Sequence, residues 1–117
     1  METPEPSRLS LLKEYLGNDA VQIKEMVQLF LETFPADLLE LETACQNHDF
    51  TKLQKTSHRL KSSVQLFNIG VAREKIVLIE SRAKSHEDCN GIFQLVQQFK
   101  SCMQDEVKNI RTELQRL

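Results

Sequence analysis

Residues 92–117 read IFQLVQQFKSCMQDEVKNIRTELQRL and carry the clearest secondary-structure signal in this chain of 117 residues. The apolar residues recur at steps of four or three, which places them on one face of an α-helix of about 25 residues. Asp88 or Asn90 is suited to cap the start of this helix. The members of the stripe are Ile92, Val96, Phe99, Met103, Val107, Ile110, Leu114 and Leu117.

A second long helix is predicted upstream, beginning at Asn18 or Asp19, because both are good capping residues that follow Gly17. Pro35 lies inside this segment, where it removes a backbone hydrogen bond and predicts a kink. The expected apolar stripe consists of Val21, Met26, Val27, Phe30, Phe34, Leu38, Leu41 and Cys45.

The middle of the chain predicts two more helices. The third starts after Asp49 and runs to about Asn68, and Gly70 then marks a break. The fourth covers about residues 71–84, with Ala72, Ile76, Ile79 and Ala83 facing inward.

Four substantial helices with short connections predict an all-α fold, an antiparallel four-helix bundle with a short additional N-terminal helix within residues 7–16. Residues 1–7 are interpreted as a disordered lead-in, and residues 8–117 as a single domain.

Composition excludes several classes of function. The longest apolar run, residues 76–79, is far shorter than the ~20 residues of a membrane span, so we expect no membrane segment. Three isolated glycines cannot form a phosphate-binding loop, which argues against ATP binding. The net charge of −2 argues against nucleic-acid binding, and three scattered cysteines without a C-x-x-C motif indicate a reducing cytoplasm.

His58 is the candidate reactive residue. At about 100° per residue, the buried arc of the third helix is centred about 140° from His58, which therefore faces solvent. The buried arc contains Phe50, Leu53, Ser57, Leu60, Val64 and Phe67. The face around His58 carries neither a large apolar residue nor an acid, and consists of Thr51, Gln54, Lys55, Lys61, Ser62 and Gln65.

Charge on the third helix supports this choice. Four cations and no acid lie between Phe50 and Gly70, and such a one-sided pattern weakens a helix. The arrangement favours an anion near His58, and Lys61 lies one turn away. The four cations are Lys52, Lys55, Arg59 and Lys61.

Other readings of the same residues stay open. A lone exposed histidine is most often a solvated residue, which is how we interpret His48 and His86 at the predicted connections. The bundle could be a non-catalytic adaptor whose basic face binds an acidic partner. A metal-binding bundle would need inward-facing Glu-x-x-His pairs, which the sequence lacks.

The stretch SHRLKSSVQLF, residues 57–67, resembles the signature of histidine-containing phosphotransfer (HPt) domains: a small residue, His, any residue, an apolar residue, Lys and two small residues, followed by a hydrophobic stretch. The upstream run FLETFPADLL, residues 30–39, is also similar to the family, as are Leu41, Ala44 and residues 49–53. The resemblance covers residues 10–115.

The resemblance implies a phosphorelay intermediate. His58 would accept a phosphoryl group from the phospho-aspartate of a receiver domain and pass it to another receiver, with Lys61 offsetting phosphate charge. Magnesium would sit in the receiver's acidic pocket, because the face around His58 has no carboxylate. Receiver docking is expected at Gln54, Lys55, Arg59, Ser62 and Gln65.

The partners expected from the resemblance are the receiver domains of a hybrid sensor kinase and of a downstream regulator. The chain would be a monomeric, cytoplasmic phosphotransfer protein with no cofactor, metal or ATP-binding kinase module. Two positions depart from the family pattern. Ser62 stands where the family often has glycine four residues after the histidine, and Asn68 stands at the glycine about ten residues after it.

Overall fold

The computed structural model describes residues 8–17 and 19–117, which form five helices and no strand. The first helix is short and packs on the second, and the other four are substantial. The predicted all-α bundle with a short leading helix is confirmed. The helices are α1 (Ser10–Leu16), α2 (Ala20–Gln46), α3 (Phe50–Leu66), α4 (Gly70–Lys84) and α5 (Cys89–Gln115).

Aspartates cap the three longest helices. The Asp19 carboxylate accepts hydrogen bonds from the backbone N–H groups at the start of α2, at 3.1 and 3.2 Å. Asp49 caps α3 at 3.1 Å, and Asp88 caps α5 at 3.0 Å. Of the alternative caps, Asn90 lies inside the first turn of α5, and Asn18 is outside the described residues. The sequence therefore located these helix starts correctly because the caps adjoin the apolar periodicity.

The links after α2, α3 and α4 share one backbone conformation. His48, Asn68 and His86 have φ angles of 55°, 58° and 51°, the left-handed conformation common just after a helix. The next residue then bonds back into the helix, as Ile69 N–H does to the Val64 carbonyl at 3.0 Å. The break expected at Gly70 is therefore made at Asn68.

The core confirms most of the predicted apolar faces, including the fully buried Ala72, Ile76, Ile79 and Ala83 of α4. The stripe assigned to α2 is wrong at two positions. Val21 is 65% exposed and Met26 is also exposed, because the buried row of α2 starts at Ile23 and Val21 lies about 160° away from it. The helix continues through Pro35, and the kink there stays a prediction.

The four long helices form a closed ring in which α3 contacts both α2 and α4, and α5 contacts both α4 and α2. Side-chain bonds fix the direction of α3 against α4: Gln54 pairs with Ala83, whereas Lys61 pairs with Glu80. The two helices are therefore antiparallel. This arrangement leaves the outward face of α3, which carries His58, open to solvent.

None of the helices in residues 8–17 and 19–117 is long and apolar enough to cross a membrane. Residues 8–117 stay a predicted single domain, and the lead-in predicted for residues 1–7 lies outside the described residues.

Candidate functional site

His58 lies in the middle of α3 with 67% of its side chain exposed. The opposite face of the helix is anchored by Leu53, Leu60 and Val64, which are fully or almost fully buried. This amphipathic pattern fixes the rotation of α3 and directs the imidazole away from the core.

A carboxylate from the neighbouring helix contacts the imidazole. Glu80 Oε2 of α4 lies 2.9 Å from His58 Nδ1, and Glu80 Oε1 accepts a hydrogen bond from Lys61 Nζ at 2.8 Å. Lys84 Nζ approaches the same Oε1 at 4.0 Å. Only 8% of the Glu80 side chain is exposed, so His58 and Lys61 converge on one buried anion.

The environment of Glu80 keeps its carboxylate charged. Burial favours the neutral acid, but the hydrogen bonds from Lys61 and His58 and the charges of Lys61 and Lys84 outweigh it. The net result is that the pKa of Glu80 is lowered from its ordinary value near 4.5. A charged carboxylate only accepts hydrogen bonds, so the proton in the His58–Glu80 bond belongs to Nδ1.

Sequence reasoning missed Glu80. The expectation that no acid lies near His58 is wrong, because the helical wheel of α3 contains no information about the adjacent helix. A weak signal was present: on the wheel of α4, Glu80 lies about 70° from the middle of the buried arc. An acid at that border needs a partner, and the basic helix α3 was the available one.

Lys61 lies where the helical spacing predicted, one turn from His58, and 27% of its side chain is exposed. Its ammonium has three donors, of which one is directed at Glu80. Lys61 therefore joins the buried carboxylate to the exposed face.

Four predicted docking residues surround His58 on the surface. Lys55, Ser62 and Gln65 are exposed, and the Ser62 hydroxyl bonds back to the His58 carbonyl at 3.4 Å. Gln54 is half-buried, with its amide 3.5 Å from the Ala83 carbonyl of α4. These small or flexible polar side chains leave His58 accessible.

Arg59, the fifth predicted docking residue, is turned toward α2. Its guanidinium bonds Asp37 Oδ1 at 2.8 Å and Glu40 Oε2 at 3.0 Å, and the Asp37 bond in particular raises the pKa of Arg59. Lys52 also approaches Glu40, at 3.9 Å. Three of the four cations of α3, which lack acids on their own helix, thus find them on α2 or α4: Lys52, Arg59 and Lys61.

The other two histidines lie at helix links, as predicted, and both are exposed. His86 stacks on Phe50 with ring centroids 4.6 Å apart, and Phe50 is accordingly half-buried. His48 lines a shallow cavity with Cys45 and Cys89. Within residues 8–17 and 19–117, no carboxylate contacts either histidine as Glu80 contacts His58.

Within residues 8–17 and 19–117, no three His, Cys, Asp or Glu side chains are grouped so that they could hold a metal ion. The expected absence of a carboxylate near His58 is wrong, because Glu80 lies 2.9 Å from its Nδ1. Both Glu80 oxygens already accept hydrogen bonds, from His58 and Lys61.

The family model described as Hpt domain matches residues 25–116, which is most of the chain. This chain belongs to the Hpt domain family. Comparisons with curated proteins and with solved structures gave no significant match. The match confirms the resemblance carried by residues 57–67, and it begins inside α2, so α1 lies outside it.

Hpt domains carry out histidine phosphotransfer in phosphorelay signalling, in which they interact with receiver domains. The Hpt module is a phosphotransfer module that contains no kinase module of its own. The chemistry of this chain therefore centres on a histidine that accepts and releases a phosphoryl group.

Proposed function

We propose that His58 is the phosphoryl acceptor, taking the group from the phospho-aspartate of one receiver and passing it to the aspartate of another. The observation that carries this proposal is the bond between His58 Nδ1 and Glu80. It is supported by the exposure of the imidazole, and by the absence of such a contact at His48 and His86 in the part of the chain that the structure describes.

The Glu80 bond selects the nucleophilic atom. In the neutral imidazole that carries its proton on Nδ1, Nε2 keeps its lone pair. The charged, buried Glu80 holds this tautomer and ring orientation, much as a buried acid orients the histidine of a hydrolase triad. From this tautomer, no base is needed to remove a proton before attack.

In the transfer step, Nε2 attacks the phosphorus in line. The Nε2–P bond forms, the P–O bond of the acyl phosphate breaks, and the receiver's aspartate leaves as a carboxylate. The ring acquires positive charge, which the Glu80 carboxylate stabilises across Nδ1–H. Lys61 can donate to the phosphoryl oxygens while remaining near Glu80.

We infer that the receiver docks over Gln54, Lys55, Ser62 and Gln65, the side chains that surround His58. An apolar groove of about 130 Å³ adjoins this face, where Met26 and Leu29 of α2 lie beside Ser63 and Leu66 of α3. Arg59 would sit at the edge, tied to α2. The contact is expected to be small and transient, because a relay protein must release one partner before it meets the next.

The direction of transfer and the identity of the receivers are also proposals: a hybrid sensor kinase's receiver as donor and a downstream regulator's receiver as acceptor. We further propose a monomer in the cytoplasm. The three free thiols, Cys45, Cys89 and Cys102, suit a reducing compartment.

The test is incubation with isolated receiver domains loaded from acetyl phosphate, followed by mass spectrometry under non-acidic conditions. An acid-labile, base-stable phosphate is expected on His58. His58→Gln should abolish labelling, whereas the matched controls His48→Gln and His86→Gln should retain it. Phosphate on either of those histidines in the wild-type chain, with His58 unmodified, would refute the assignment.

A further inference from the structure

Charge is divided unequally between two parts of the bundle. Residues 50–84, which form α3, α4 and their link, contain eight of the fifteen Lys and Arg but only two of the seventeen Asp and Glu. Their formal charge is +6, whereas the rest of the chain carries −8. We call residues 50–84 the basic half, and α1, α2 and α5 the acidic half.

The division in sequence is also a division in space. α3 and α4 pack directly against each other, and α2 and α5 form the other side of the ring. His58, Lys61 and Glu80 lie in the seam between α3 and α4. The proposed acceptor is therefore on the outer surface of the basic half.

Not all cations of the basic half are neutralised by neighbours. Lys52, Arg59, Lys61, Arg82 and Lys84 each have a carboxylate within 4.0 Å. Among the described residues, no carboxylate lies that close to Lys55, Arg73 or Lys75; Lys55 and Arg73 are exposed, whereas Lys75 is half-buried. The exposed Lys55 and Arg73 leave their charge directed at solvent.

Lys55 and Arg73 lie on either side of His58. Lys55 is three residues before His58 on α3, on the side toward α2. Arg73 shares the face of α4 that carries Glu80, seven residues earlier, or about 10 Å along the helix. Because α4 is antiparallel to α3, Arg73 is near the Gln65 end of the docking face. Positive charge thus extends beyond the immediate surroundings of the imidazole.

We propose that the basic half steers an acidic receiver face onto His58 by long-range attraction, and that Arg73 contributes to this steering from outside the set of docking residues given above. The inference rests on the proposed function. It deepens that function by specifying the partner's chemistry: the docking face carries net negative charge, as expected around carboxylates that hold magnesium and accept phosphate. The acidic half repels the same face and so orients the encounter.

Steering acts on association and not on the chemical step. Charges of opposite sign raise the on-rate by about 10- to 1000-fold at low salt, and salt screens the effect as the Debye length falls from about 30 Å at 0.01 M to about 3 Å at 1 M. Once the complex has formed, transfer depends on the local geometry of His58, Glu80 and Lys61. The two contributions are therefore separable by measurement.

The experiment uses the full chain and a fluorescently labelled isolated receiver domain whose phosphorylation face is acidic. Association rates are measured by stopped flow between 20 and 500 mM NaCl. The test variant is Arg73→Glu on α4, and the matched control is Arg111→Glu on α5. Both arginines are exposed, and neither has a carboxylate within 4 Å among the described residues. The two substitutions also change the net charge by the same amount, so they differ in position alone.

For the wild type, the association rate should fall about ten-fold or more across this salt range. Arg73→Glu should lower the rate about three-fold at 20 mM and converge with the wild type at 500 mM, whereas Arg111→Glu should change it less than 1.5-fold. Equal effects of the two variants, or a rate insensitive to salt, would overturn the proposal. If Arg73→Glu fails to fold, Arg73→Gln takes its place with a smaller expected decrease.

Single-turnover transfer at saturating receiver distinguishes this proposal from the proposed function. Arg73→Glu should match the wild type there. If the chain transfers phosphate from His58 but its association rate does not depend on salt, the steering proposal is overturned and the proposed function stands. A chain that associates with the expected salt dependence but never carries phosphate on His58 overturns the proposed function and leaves the steering supported.

Discussion

The α2–α5 pair and the α3–α4 pair are built from different interactions. The two longest helices, α2 and α5, contribute Phe30, Phe34 and Phe99 to an aromatic core, with Phe34 and Phe99 ring centroids 6.3 Å apart. The α3–α4 seam instead contains a buried carboxylate bonded to His58 and Lys61. Both pairs bury apolar side chains in the core, and the α3–α4 pair in addition holds a polar site on that rigid frame.

This difference predicts that stability and transfer can be lost separately. The largest loss of stability is expected for Phe99→Ala in the α2–α5 core. Phe99 is fully buried, so its truncation should cost about 3–5 kcal/mol of unfolding free energy, measured by urea denaturation. Phe93→Ala, a half-buried neighbour on α5, should cost clearly less. A transfer rate per folded molecule that collapses in Phe99→Ala would contradict the separation.

The converse result is expected for Ser62→Trp. Ser62 is exposed and one turn from His58, so an indole there should block the receiver without touching the core. Transfer should fall about 100-fold or more, which corresponds to about 2.7 kcal/mol, while the melting temperature and the helical circular dichroism stay nearly unchanged. Glu74→Trp, at an exposed position on α4, serves as a control for bulk alone. Normal transfer by Ser62→Trp would move the docking face elsewhere.

Glu80→Gln should lower both stability and the rate of phosphoryl transfer, because Glu80 is part of both the α3–α4 seam and the site. At neutral pH the variant should lose about 1–2 kcal/mol of stability and slow transfer about ten-fold, since the charged acceptor of Nδ1–H is gone. The folded-state pKa of Glu80 is lowered, so its contribution to stability is present above the ordinary value near 4.5 and is lost as pH falls through the folded pKa.

The measurement is denaturant unfolding of both proteins from pH 7 downward. The stability difference between wild type and Glu80→Gln should shrink in acid, where the wild-type carboxyl is itself neutral. Glu74→Gln on the solvent side of α4 should stay within about 0.5 kcal/mol of wild type throughout. A difference that persists at low pH would mean that Glu80 acts through shape and not through charge.

The smallest effect is expected at the link between α3 and α4. Asn68 has a φ angle of 58°, so Asn68→Gly should stabilise the chain by about 0.5 kcal/mol through relief of backbone strain. Asn47→Gly is the matched control, because Asn47 has a φ angle of −89° and should lose stability instead. Thermal melts of both variants measure these changes in stability. Unchanged phosphoryl transfer in both would show that this link serves the fold and not the site.

The sequence predicted the helices well because each long helix has clear local signals in its own residues. Asp19, Asp49 and Asp88 adjoin apolar rows with helical spacing, so caps and periodicity agree. The rotation of α2 was less certain, since a helix of 27 residues with apolar side chains on several faces allows more than one row. Val21 and Met26 were placed in the core for that reason, and Ile23 was overlooked.

Only the part of the site that lies on a single helix was predictable from the sequence. His58 and Lys61 share α3, and their spacing alone brings them together. Glu80 is 22 residues from His58, and its contact depends on the packing of α3 against α4, which a wheel of either helix cannot show. The left-handed conformations of His48 and His86 were missed because histidine is not a typical residue for that role.

The closed ring of helices also bears on how the chain reaches its native state. From α2 to α5, each helix packs on the next one along the chain, so most pairing requires only a short link to close. The α5–α2 contact is a long closure, as are the bonds from Arg8, just before α1, to Glu106 and Glu113 of α5. Helical bundles dominated by such local contacts belong to the fast class of two-state folders, with microsecond-to-millisecond times. The docking of α5 then joins segments that are far apart in the sequence.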